Sequence, residues 1–169
     1  SGELGVALKE DDYDRARNIA KWYKSILGDR YYLELQDHGH PKSNTHWDVQ
    51  AKINEGLIKL SKELDIEMVV TCDGHYLTHD HQDAHEILLC VGTGSYLSDE
   101  KRMSLKDFEL HLTDPCDIID HWGEEYPEVI RNTKKVADRC NVEIELGRIL
   151  IPKYPLPEGE NEHSYLLRL

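Results

Sequence analysis

The chain has 169 residues, 39% of them hydrophobic, which fits one domain or part of one and is enough apolar content to bury a core. It carries 20 Lys and Arg against 33 Asp and Glu, and the resulting net charge of −13 repels a phosphate backbone, so nucleic-acid binding by this segment alone is disfavoured. No stretch approaches the ~18 apolar residues of a membrane span and "SGELG" has no signal-peptide character, so a soluble, cytoplasmic protein is expected.

The first expected helix runs from Asp12 to Leu27. Ala16, Ile19, Ala20, Tyr23, Ile26 and Leu27 recur there at three- and four-residue spacing, and Gly28 stands at the stop. Residues 31–37, "YYLELQD", are aromatic and aliphatic with partial alternation and read as a strand broken by "HGHP". Val49, Ile53, Leu57, Leu60 and Leu64 mark a second amphipathic helix, and "IEMVVTC" a short strand that ends at Asp73. A β-α-β crossover of this length implies parallel neighbouring strands, whose carboxyl ends are where functional groups gather.

Further along, "HQDAHEILLCV" reads as a helix, "DFELHL" as a short strand, and "DPCDIIDHW" as a helix with Asp114 as N-cap and Pro115 at its first position. "YPEVIRNTKKVADRC" continues the α/β pattern with an apolar face of Val129, Ile130, Thr133, Val136, Ala137 and Cys140. "LIPKYPLPEGE" is proline-dense and reads as an extended connector, and "NEHSYLLRL" as the start of another helix. The four cysteines, Cys72, Cys90, Cys116 and Cys140, form no C-x-x-C pair, and Cys90 and Cys140 are expected as buried thiols on helix faces in a reducing compartment.

Asp73 and His75, one residue apart at a strand end, offer an oxygen and a nitrogen to a divalent metal, and Gly74 is expected to permit a tight turn between them. A surface or capping pair is the plainer alternative. His79, His81 and His85 form a rival cluster, with His81 and His85 at i, i+4 spacing, although H-E-x-x-H is absent and solvated residues at a helix start account for the polarity. His38, His40 and His46 surround Pro41 in a loop and receive no role. Glu34 and Asp37 are conceivable as paired carboxylates, and "GTGS" at 92–95 lacks the lysine of a phosphate loop and reads as a helix C-cap.

Four segments in register, "YYLELQDHG", "VVTCDGHYLTHDHQDAHEILLCVGTG", "EVIRNTKKVADRCNVEIELG" and "IPKYPLPEGE", resemble the PHP (polymerase and histidinol phosphatase) domain of the C-family bacterial replicative polymerases, the DNA polymerase III alpha subunits. The resemblance implies an α/β fold that is part of a distorted (β/α) barrel. It implies residues 1–149 as the C-terminal part of the PHP domain, 150–160 as the proline-rich connector toward a palm domain, and 161–169 as the start of the following helix. The H-x-H motif and further ligands are then expected upstream.

Asp73 and His75 match the last pair of metal ligands in that family, for zinc, manganese or magnesium. Members with the full ligand set are associated with a metal-dependent 3′–5′ exonuclease or phosphoesterase, whereas others keep the domain as a metal-free scaffold. The partners implied are DNA, through the parent polymerase, and other replisome subunits, with no membrane. A free-standing PHP phosphatase is the remaining alternative, and the connector with "EHSYLLRL" counts against it.

Overall fold

A computed structural model describes residues 2–38 and 47–169, the side chains of 47 and 48 excepted. His40, Pro41 and His46 lie outside the described residues. The chain divides into two compact units, Ser1–Arg139 and Cys140–Leu169.

In the first unit, α1 (Glu3–Lys9) buries Ala7 and Leu8. It is too short for periodicity to reveal. Helix α2 (Tyr13–Leu27) is started by Asp12, whose carboxylate accepts the Arg15 N–H at 3.0 Å, and stopped by Gly28 at φ 60°. Of its expected face, Ala16 and Ala20 are fully buried and Ile26 is exposed. Strands β1 (Leu33–Asp37) and β2 (Met68–Cys72), joined through α3 (Trp47–Leu64), pair in parallel from Leu33↔Met68 to Asp37↔Cys72. The expected β-α-β unit is therefore present. Helix α3 packs on β1 and α6 (Pro127–Arg139) on β2, while α1 packs on α2 and α3. Leu33, Leu35, Leu60 and Val129 are the largest side chains with essentially no exposure, and they mark the centre of the core.

Two buried asparagines satisfy carbonyls that the two-stranded sheet leaves over. Asn54 donates to Gln36 O at 3.0 Å, and Asn132 to Met68 O at 2.8 Å. Even-numbered residues of β2 direct their backbone groups away from β1, so removing Asn132 strands a buried acceptor. Asn132→Ala is expected to cost about 1–3 kcal/mol. The urea midpoint of the purified protein measures it, and an unchanged midpoint refutes the role assigned to Asn132.

Helix α4 (Gln82–Thr93) ends at Gly94 in the left-handed conformation (φ 66°), as the C-cap reading of "GTGS" requires. Helix α5 (Pro115–Trp122) has Asp114 accepting the Cys116 N–H at 2.8 Å, the expected cap. In the second unit, α7 (Glu162–Arg168) starts with a reciprocal Asn161–Ser164 capping box, and Tyr154 stacks on Tyr165 with centroids 5.6 Å apart.

Three expectations are corrected. "DFELHL" is no strand: one isolated parallel bridge, Tyr76↔His111, remains of it. Its backbone groups are shared among several partners: the Glu109 N–H donates to His38 O and the Leu112 N–H to Tyr76 O, while the Gln82 amide takes the Phe108 carbonyl. Cys140 is exposed, whereas Cys90 is buried as expected. The buried side of α6 is turned toward Val129 and Asn132, because the Met68 carbonyl needs a donor there, and Thr133 and Ala137 face outward.

Candidate functional site at the strand ends

Strand β2 ends at Cys72, and the next three residues carry the candidate pair. Asp73 Oδ2 lies 3.1 Å from His75 Nε2, with both side chains partly exposed. The backbone beyond is held against residues 110–112: the N–H groups of His75 and Leu112 donate to Leu110 O and Tyr76 O at 2.7 and 2.9 Å. Gly74 is not required by this turn. Its φ lies outside the left-handed region, and a Cβ there would meet open space.

The register carries the same level of the sheet across to β1. Because Asp37 pairs with Cys72, His38 follows β1 at the height at which Asp73 follows β2. Burial lowers the affinity of the His38 imidazole for a proton, and Asp73, Asp37 and Glu34 act in the opposite sense while His75 adds to the lowering. His38 thus shares an electrostatic environment with Asp73 and His75. The signal that could have found it is its position, one residue past the end of a strand parallel to β2.

Glu34 and Asp37 do not converge. Glu34 lies on the outward face of β1 and accepts the Thr71 hydroxyl at 2.7 Å. Asp37 is only 4% exposed, and its Oδ2 accepts the Trp122 indole N–H at 2.8 Å and lies 2.9 Å from His121 Nδ1. This carboxylate ties the end of β1 to α5. Burial pushes the Cys72 thiol up, with Asp37 acting in the same sense and the Thr113 hydroxyl against it, which favours the protonated thiol.

The rival histidines are separated. His79 and His81 belong to a 3₁₀ turn that precedes α4, with His81 as the N-cap of the helix that carries His85. His79 packs against His111 with ring centroids 5.9 Å apart, whereas His85 meets His75 at 5.1 Å. Among the described residues, no group of three or more His, Cys, Asp or Glu side chains is arranged to hold a metal ion. What Asp73 and His75 can do is contribute: their donor atoms stand roughly 3 Å apart, the spacing of neighbouring ligands each ~2.1 Å from one ion. One carboxylate oxygen and one imidazole nitrogen suit zinc or manganese.

Among the described residues no helix is long and apolar enough to cross a membrane. No family model matches the chain. It is similar to the DNA polymerase III alpha subunit of Campylobacter jejuni, 31% identical over 98% of the chain and 13% of that protein. The alpha subunit of Deinococcus radiodurans is 36% identical over 94% of the chain and 12% of its own length, and that of Treponema pallidum 33% over 99% and 14%. The chain therefore spans less than one-sixth of the length of each of these curated relatives.

Proposed function

The chain belongs to the family of DNA polymerase III alpha subunits, and on that footing we propose that it is a segment of a replicative DNA polymerase in which Asp73 and His75 are two ligands of a divalent-metal phosphoesterase site. The observation that carries this is the convergence of Asp73 Oδ2 and His75 Nε2 at the carboxyl end of a parallel strand. The parallel β-α-β unit supports its being part of a (β/α) barrel of the PHP type, with residues 150–160 as the connector toward a palm domain. Parallel strands with polar side chains at their carboxyl ends are what such barrels use.

In this reading Asp73 and His75 hold and orient an ion rather than transfer protons. A divalent ion, when bound, would polarise a phosphoryl oxygen and lower the pKa of bound water. Further ligands come from other parts of the parent protein in this reading. The net charge of −13 agrees with it, because basic DNA-gripping surfaces would belong to other domains and to other replisome subunits. A second reading has one specific support: the 3.1 Å contact also lets Asp73 and His75 satisfy each other as a turn-stabilising ion pair within a metal-free scaffold.

The full-length subunit should extend a primed template and retain divalent metal through purification. Residues 1–169 alone should bind zinc or manganese weakly and hydrolyse no phosphoester, because tight binding requires several deprotonated ligands assembled at once. Calorimetric titration separates the cases. A stoichiometric submicromolar site in the 169-residue chain would contradict the shared-ligand reading.

A further inference from the structure

We propose that His85 is a positioning residue for the candidate metal pair: its ring sets the plane of the His75 imidazole so that Nε2 faces Asp73. The inference rests on Asp73 and His75 acting as ligands. The torsion that turns an imidazole has a broad, roughly two-fold preference. A ligating histidine therefore needs an outside group to choose which nitrogen faces the ion, and a hydrogen bond to the other ring nitrogen is the common device. Among the described residues, none is hydrogen-bonded to His75 Nδ1, and the ring makes its polar contact through Nε2, with Asp73.

The His75 ring instead meets His85 edge to face, with centroids 5.1 Å apart and planes at 71°. Aromatic rings favour that arrangement. His85 also lies against the ring of Tyr76, 5.3 Å away at 45°. Tyr76 is itself fixed, since its hydroxyl accepts the Leu110 N–H at 3.2 Å and its carbonyl the Leu112 N–H at 2.9 Å. One ring thus packs against two consecutive residues of an anchored segment.

The helix that carries His85 cannot turn freely. Its neighbour Glu86 is buried and bonded to Arg102, Ser104 and Leu105, and Gln82, one turn earlier, holds the carbonyls of Lys106 and Phe108. The 102–112 segment is thereby pinned to α4 at one end and to His75 and Tyr76 at the other. His85 stands where these two attachments meet, so the orientation of the His75 ring is inherited from the placement of α4.

The test uses the full-length subunit with His85→Ala, His85→Leu and His85→Phe, each titrated with zinc and with manganese against a chromophoric chelator. Alanine removes the ring, leucine fills its space without a flat face, and phenylalanine restores the ring without a ligating nitrogen. His85→Ala and His85→Leu are expected to weaken binding about 10- to 100-fold, the range for groups that orient a ligand. His85→Phe should stay within about threefold of wild type, because the edge-to-face contact survives. Wild-type affinity in the leucine variant overturns the proposal, and so does a phenylalanine variant as weak as the leucine one, which would make His85 a ligand. Failure of the underlying reading shows separately, as unchanged affinity in Asp73→Ala and His75→Ala.

Discussion

In the full-length subunit, Asp73→Ala or His75→Ala is expected to lower divalent-metal affinity by at least ~100-fold, more than residues that only support a ligand usually cost. Any 3′–5′ exonuclease activity falls with it. Template-directed nucleotide incorporation continues near the wild-type rate, because in this proposal the polymerase centre lies in another domain. The expectation follows from the geometry: the two donors sit on one turn at the end of β2, so losing either removes a ligand without cutting into the core formed by Leu33, Leu35 and Leu60. Both side chains are partly exposed, and their loss leaves no buried cavity. Metal content by mass spectrometry, exonuclease rate on a primer terminus and primer extension are the three measurements. Equal loss of both activities would mean that the pair supports folding, and unchanged metal content that it binds none.

The largest effect on stability is expected at Glu86. Its carboxylate is 2% exposed and takes three donors: the Arg102 guanidinium, the Ser104 hydroxyl at 2.7 Å and the Leu105 N–H at 2.9 Å. Glu86→Ala leaves the largely buried Arg102 without its anion and two further donors without an acceptor, which should cost about 3–5 kcal/mol. Hydrogen exchange reads it locally, as lost protection of the amides of α4 and of residues 102–108. Protection at the wild-type level in that variant would refute the clamp.

The same clamp predicts a pH dependence. Burial alone would raise the Glu86 carboxyl, but the hydrogen bonds and charge of Arg102, with Leu105 and Ser104, outweigh it and hold the group below the usual carboxylate range. The folded state therefore binds this proton less readily than the unfolded chain. The stabilisation is fully present above the unfolded glutamate value of about 4.3 and is lost as pH falls through the lower folded value. Glu86→Gln should remove that part of the acid sensitivity and leave the pH dependence from neutral to alkaline pH as in the wild type. An acid limb as steep as wild type in Glu86→Gln would assign the sensitivity to other carboxylates.

The elements legible in the sequence are those whose cause is local. Asp12 and Gly28 bracket α2, Asp114 and Pro115 start α5, and Gly94 stops α4, because caps and glycine conformations act within one turn of the chain. The apolar spacing of α3 between two β-branched or aliphatic strands was enough to imply parallel pairing, and with it the place of Asp73 and His75 at a strand end. Tertiary structure decided the rest, since contacts between residues far apart in sequence leave no periodic trace. Nothing near Asp37 announces that it is buried to receive Trp122, and nothing in "HDHQDAH" separates His85, which turns to His75, from His79, which turns to His111. The failed strand at 107–112 has the same origin. Its local pattern is strand-like, but buried backbone groups go to whichever partner the fold brings near, and here those partners are divided among His38, Tyr76 and the Gln82 side chain, none of which the segment's own sequence contains.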